Sequence, residues 1–298
     1  MSTLQLQQLR PLMEASREKM VGELDQVRRG FEEMLTQFGP APGVTFTAAQ
    51  IGSIPGTWAT PSNVVDGRVL LYLHGGGFAL GSSKAYSPLA SELATRLKGR
   101  VLVPDYRLAP ENPYPAALED GVSAYRWLLD QGTPASSIAI AGDSCGGGLT
   151  VSTLVAIRDA GLPLPVGAVL ISAWADLSAT SDSITSKAGE DFVLNGDMLR
   201  GMAGGYLGAT PPHTPGASPV YANLKGLPPL LIQVGATEVL LDDSTRLAAN
   251  AGSAGVKVRL DIWPEMFHVW HTWSAKLDEA KEALDDAAAF LDQLLRQQ

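Results

Sequence analysis

From Arg68 onward the chain alternates short apolar runs with stretches of helical character, and no other feature limits its fold so tightly. Val69-Leu70-Leu71-Tyr72-Leu73, Val101-Leu102-Val103, Ile138-Ala139-Ile140-Ala141, Val169-Leu170-Ile171, Leu230-Leu231-Ile232-Gln233-Val234 and Val258-Arg259-Leu260-Asp261-Ile262 read as strands. Residues 86–98, 115–130, 147–160, 243–252 and 274–296 read as helices. Strands apolar on both faces need cover on both faces, so the alternation predicts a parallel sheet with helices packed on each side. At 298 residues the chain is long enough to bury such a core.

The flanking segments behave differently. Val44-Thr45-Phe46-Thr47 and Thr57-Trp58-Ala59-Thr60 read as short strands of a meander. Across residues 16–38, Met20, Leu24, Val27, Phe31, Met34 and Phe38 recur at threes and fours, which predicts one helix that packs on the core or covers a site. Residues 177–226 break the strand–helix rhythm with Ser, Thr, Gly and Pro. An insertion of this size is usually functional or lid-forming.

Composition removes several function classes. With 45% hydrophobic and 18% charged residues the chain is neither disordered nor a coiled coil. A single cysteine excludes an intrachain disulfide and a cysteine-based zinc cluster, and it fits a reducing, cytoplasmic compartment. The net charge of −9 disfavours nucleic acid and anionic membrane surfaces as partners. Glu14, Arg17, Glu18, Lys19 and Glu23 interrupt every apolar run near the start, so neither a secretory signal nor a transmembrane helix is expected.

Two glycine-rich motifs carry chemistry. Gly142-Asp143-Ser144-Cys145-Gly146 matches G-x-S-x-G, follows a strand and precedes a helix, which is the context that places a serine nucleophile on a tight turn. His74-Gly75-Gly76-Gly77-Phe78 ends strand 69–73, and its consecutive glycines expose backbone N–H groups suited to a developing oxyanion. A phosphate cradle is the competing reading. However, no Walker Lys-Ser/Thr follows and no G-x-G-x-x-G opens a helix there, so no nucleotide cofactor and no metal is expected.

A serine hydroxyl needs a base, and the base needs an orienting acid. Of the four histidines, His74 belongs to the glycine loop and His213 lies in a proline-rich stretch. His268 and His271 follow the last strand, where a base would reach the carboxyl ends of a parallel sheet; His268 leads and His271 is held in reserve. Glu238 lies just past strand 230–234 and leads as the acid, with Asp242 second. The alternative role for Asp242 and Asp243 is capping the following helix.

These residues resemble the bacterial hormone-sensitive-lipase-like carboxylesterases of the α/β-hydrolase superfamily. The likeness is carried by His74-Gly75-Gly76-Gly77-Phe78, by Asp105-Tyr106-Arg107-Leu108-Ala109-Pro110-Glu111 with Pro113-Tyr114-Pro115-Ala116-Ala117-Leu118-Glu119-Asp120, and by Gly142-Asp143-Ser144-Cys145-Gly146-Gly147. The resemblance spans roughly residues 68–295. It implies an α/β-hydrolase fold, with Ser144 as nucleophile, Glu238 where the family usually has Asp, and His268 as base. Backbone N–H groups of Gly76, Gly77 and Cys145 would line the oxyanion hole. It implies a helical cap built from residues 1–40 and 177–226 over a catalytic domain spanning 41–298, and a homodimer near the last strand. Cys145 stands where the family often has Ala. A cysteine nucleophile is the weaker reading, because the turn points residue 144 outward.

The expected activity is hydrolysis of short-chain, uncharged carboxylic esters through an acyl-enzyme. The expected partner is thus a small-molecule ester. Phe78, Trp174 and Tyr206 are candidate pocket walls. The alternatives are a lactone or amide hydrolase with the same triad, or a non-catalytic ligand receptor on this fold.

Overall fold

The computed structural model describes residues 3–18 and 21–296. Helices α1 (Thr3–Glu18) and α2 (Leu24–Thr36) precede a hairpin of β1 (Val44–Ile51) and β2 (Ile54–Pro61). Then follow β3 (Val69–Leu73), α3 (Ser87–Leu97), β4 (Arg100–Pro104), α4 (Ala116–Asp130), β5 (Ile138–Asp143), α5 (Cys145–Asp159) and β6 (Ala168–Ile171). The segment after β6 holds α6 (Ser183–Ser186) and α7 (Gly196–Leu207). Strand β7 (Leu230–Gly235), α8 (Leu241–Ser253), β8 (Val258–Trp263) and α9 (Asp278–Leu295) complete the chain.

The strands form one sheet in the order β1-β2-β4-β3-β5-β6-β7-β8. Pairing is antiparallel for β1·β2 and β2·β4 and parallel from β4 to β8. Strands β3, β5, β6 and β7 are buried along their whole length, as their unbroken apolar sequences require.

Side chains alternate between the two faces of each strand. Leu71, Leu73, Ile140, Leu170 and Ile232 pack with Tyr125 and Leu128 of α4, Leu149 and Leu154 of α5, and Leu247 of α8. Leu70, Tyr72, Val169, Ile171 and Leu231 pack on the opposite face with Leu89 and Leu93 of α3 and Leu284 and Leu291 of α9. Each such side chain fully withdrawn from water contributes roughly 1.5–3 kcal/mol before entropy is counted. A third cluster joins Leu9 and Met13 of α1 to Phe267, Trp270 and Trp273.

The secondary structure departs from expectation in two places. Residues 16–38 do not form one helix: α1 stops and α2 starts at Leu24, separated by Gly22 at φ +125°, a backbone that a helix cannot use. Met20 lies outside the described residues. The two predicted short strands are the middle of a longer antiparallel hairpin, and its second strand pairs antiparallel with β4. Residues 177–226 contain short helices and no strand, as their composition implies.

Because β3, β5, β7 and β8 run parallel, the loops leaving their carboxyl ends open on the same edge of the sheet. The glycine loop, the Ser144 turn, Glu238 and His268 all leave from there.

Candidate active site

Ser144 follows β5 directly and adopts φ 52°, ψ −125°, a backbone region that side-chain-bearing residues rarely occupy. The surrounding structure holds it there: its N–H donates to Ile171 O at 2.8 Å, and its carbonyl accepts from Trp174 N at 2.8 Å. Its Oγ lies 3.0 Å from His268 Nε2. His268 Nδ1 in turn lies 2.9 Å from Glu238 Oε2. A carboxylate at Nδ1 assigns the ring proton there, so Nε2 presents a lone pair to the serine hydroxyl.

Glu238 is fully buried and its second oxygen is also satisfied. Oε1 accepts from Gly235 N at 2.6 Å and from Ser172 Oγ at 2.7 Å. Ser172 Oγ also accepts from Val269 N at 3.1 Å, which ties the residue after His268 to the acid. Ser172 and Val269, like Ser144, take positive φ, so the backbone is strained at each of these three residues. Burial by itself would depress the His268 basicity. The hydrogen bond and charge of Glu238, aided by the charges of Asp191 and Asp143, outweigh it and raise the imidazole above its ordinary range.

The glycine loop sits beside the Ser144 turn. Gly76 (φ +112°) closes a tight turn whose carbonyl accepts from Ala79 N at 3.1 Å and Leu80 N at 2.9 Å. Gly77 (φ +61°) lies under Met202 of α7, and a Cβ there would collide with the Met202 Sδ. His74 is a spacer of this loop: its Nδ1 lies 2.8 Å from Gly75 O, and its ring stacks on Tyr106 at 4.2 Å and Tyr86 at 5.3 Å. Burial lowers its basicity to about 4, so it is neutral.

Asp143 is the residue whose role the sequence reading missed. Its buried carboxylate accepts from Gly75 N at 2.9 Å, Tyr72 OH at 2.8 Å and Tyr86 OH at 2.9 Å. Burial raises its pKa against the opposing effect of those three bonds. Its place inside the G-D-S turn was the available signal. Cys145 opens α5, and its Sγ accepts from Phe78 N at 3.1 Å. Burial pushes this thiol up to about 12, so it is not a thiolate near neutrality.

His271 is turned into the core, where Nε2 lies 3.0 Å from Gln233 Oε1 and burial lowers its basicity to about 3. His213 is exposed in a turn against Tyr221. Neither faces Ser144. Asp242 and Asp243 do not cap α8, contrary to expectation, because each carboxylate is drawn to another part of the fold. Asp242 Oδ2 accepts from Ser183 N, and Asp243 Oδ2 accepts from Ala175 N and Asp176 N, all at 2.8 Å. They brace the segment after β6, and Glu238 alone of the three meets His268.

A cavity of about 390 Å³ opens above Ser144. Met13, Val21, Phe31, Met34 and Leu35 line it from the N-terminal segment, and Phe192, Val193, Leu194, Met198 and Met202 from the segment after β6. Phe78, Trp174 and Tyr206, expected as walls, do not line it. They are nearly fully buried behind it: Phe78 stacks on Tyr206 at 3.6 Å, and Trp174 Nε1 donates to Asp176 O. Phe78, at φ 63°, packs into the core.

A family model described as the alpha/beta hydrolase fold matches residues 70–272. An acetyl-hydrolase of Streptomyces hygroscopicus is 45% identical over 294 residues, covering 98% of this chain and 97% of the relative. An esterase of Acinetobacter venetianus is 37% identical, covering 76% and 75%. The crystal structure of an esterase from the bacterial hormone-sensitive lipase family superposes with a TM-score of 0.96 at 40% identity, covering 99% of each chain. Fold, glycine loop, serine turn and these relatives agree: the chain belongs to the hormone-sensitive-lipase-like carboxylic ester hydrolases of the α/β-hydrolase family.

Proposed function

We propose that this esterase is a serine hydrolase that cleaves short-chain, uncharged carboxylic esters through an acyl-enzyme on Ser144. The observation that carries the reading is the unbroken hydrogen-bond chain from Ser144 through His268 to Glu238 at the floor of an apolar cavity. Ser144 Oγ attacks the ester carbonyl as His268 Nε2 takes its proton. Glu238 holds the Nδ1–H tautomer and stabilises the imidazolium that forms. The protonated His268 then delivers its proton to the departing alkoxide. Water, activated by the same imidazole, attacks the acyl-serine and releases the acid.

The negative oxygen of each tetrahedral intermediate is received by backbone N–H groups of Gly76, Gly77 and Cys145. Cys145 is the first residue of α5, so its N–H has no partner within the helix and lies at the positive end of the helix dipole. Each donor of this kind is worth roughly 2.7–4 kcal/mol in the transition state.

Residues 1–40 and 177–226 act as a cap over the catalytic domain. They supply much of the wall of the cavity, and its mostly apolar lining suits uncharged acyl groups. Its charged lining residues are Glu14 and Asp143, both acidic, which disfavours anionic esters. A homodimer would form at the outer edge of β8, the terminal strand, where Ile262 is exposed. The single cysteine fits a cytoplasmic setting.

The test is hydrolysis of p-nitrophenyl esters of increasing acyl length, with peptide mapping of a trapped acyl or phosphonyl adduct. The reading expects kcat/KM to be highest for the short acyl groups and the adduct to sit on Ser144. A maximum at long chains would sink the specificity, and an adduct elsewhere would sink the mechanism.

A further inference from the structure

The segment after β6 reaches past the cavity to the acid of the relay. Asp191 is buried, and its two oxygens serve two different parts of the fold. Oδ1 accepts from Val193 N at 2.8 Å and from Leu194 N at 2.9 Å, which fixes the turn that presents Phe192, Val193 and Leu194 to the cavity. Oδ2 accepts at 2.8 Å from the N–H of Val239, the residue that follows Glu238. The same segment also holds Val239 from its other side, because Ser183 Oγ donates to Val239 O at 2.6 Å. Phe192 further packs on Phe267, the residue before His268, with ring centroids 5.2 Å apart.

We infer that Asp191 is a positioning residue that locks the cavity wall at 192–194 to the Glu238 turn and adds its negative charge to the field at His268. The assignment rests on the relay proposed above, in which His268 is the base.

The geometry gives this two separable consequences. The first is mechanical. Both backbone groups of Val239, the residue after the acid, are gripped by a segment that also forms a wall of the cavity, so a shift in that wall is carried to Glu238. The second is electrostatic. His268 faces Glu238 from the turn after β7, Asp143 from the end of β5 and Asp191 from the segment after β6, while Glu14 of α1 lines the cavity. Glu238 is bonded to the ring and Asp143 is held by Gly75 and two tyrosines. Asp191 touches neither the ring nor Ser144 through any of its three hydrogen bonds, so its charge acts through space.

The experiment is the pH profile of kcat/KM for a short-chain aryl ester, with melting curves, for wild type, Asp191→Asn, Ser183→Ala and the exposed control Asp182→Asn. Asp191→Asn keeps an acceptor oxygen but removes the charge. It is expected to move the acid limb to lower pH by roughly 0.3–1 unit and to lower kcat about tenfold. Ser183→Ala is expected to lower kcat while leaving the limb at the wild-type pH, and Asp182→Asn to change neither. An Asp191→Asn enzyme with the wild-type limb and wild-type kcat, altered only in its melting temperature, would overturn the assignment. If Asp191→Asn does not fold, Asp191→Glu carries the test: the charge stays and the geometry shifts by one methylene. The limb should then stay in place with kcat reduced, and an unchanged kcat would overturn the assignment. Failure of the relay itself reads differently, as a Ser144→Ala enzyme that still turns over.

Discussion

The Asp143 carboxylate accepts the backbone N–H of Gly75 at 2.9 Å, so the residue before the serine holds the loop that faces it. The proposed nucleophile and the proposed oxyanion donors are therefore not on two independent loops. They are joined through one buried side chain that also anchors Tyr72 and Tyr86.

Replacing Asp143 by Ala strands three donors away from water. Each buried, unsatisfied donor costs about 1–3 kcal/mol, so the variant should lose roughly 3 kcal/mol or more of stability. Asp143→Asn keeps one acceptor oxygen and should lose less. Where either variant folds, kcat should fall more than KM rises, because the loop would act mainly in the transition state. Denaturant melts and steady-state kinetics on a short aryl ester check both parts. Unchanged kcat in a folded Asp143→Ala enzyme would contradict the coupling.

Under the proposed mechanism the raised basicity of His268 sets the acid side of the pH profile. As the proposed base, His268 must be neutral, so kcat/KM should fall as pH drops through its folded-state pKa, which lies above the ordinary histidine value of about 6.5. Glu238→Gln removes both the anionic hydrogen bond and the charge, leaving burial to dominate. The acid limb should move downward and turnover should fall by about 10³–10⁴. Asp242→Asn, which alters only the Ser183 brace, should keep near-normal turnover. The pair of pH profiles checks this, and the reverse outcome would reassign the acid.

Much of this was legible in the chain, and the reasons differ by residue. Ser144 and the glycine loop stood out because a strained turn and close backbone approach leave a fixed residue pattern. His268 and Glu238 followed from their places at strand ends, which a parallel sheet gathers at one edge. The walls were not legible. A helical period over 16–38 marks an apolar face but not what it faces, and Gly22 divides that helix in two. Phe78 adjoins the glycine loop in sequence, yet its ring stacks on Tyr206 in the core. The bonds from Gly75 N to Asp143 and from Val239 N to Asp191 join residues far apart in sequence, which only folding brings together.

Met202 covers Gly77 from α7 and forms part of the cavity wall there. Met202→Ala opens that wall while leaving the relay untouched. The ratio of kcat/KM for a longer acyl ester over acetate should rise about tenfold, a range consistent with the one or two methylenes the truncation would admit. An acyl-length series on wild type and variant measures it. An unchanged profile would show that acyl length is limited elsewhere.

Ser144 carries the proposed chemistry. Short-chain aryl ester hydrolysis by Ser144→Ala, on protein whose melting temperature matches wild type, should fall by at least about a thousandfold. Turnover within tenfold of wild type would show that neither the acyl-serine nor the relay built on it performs the reaction.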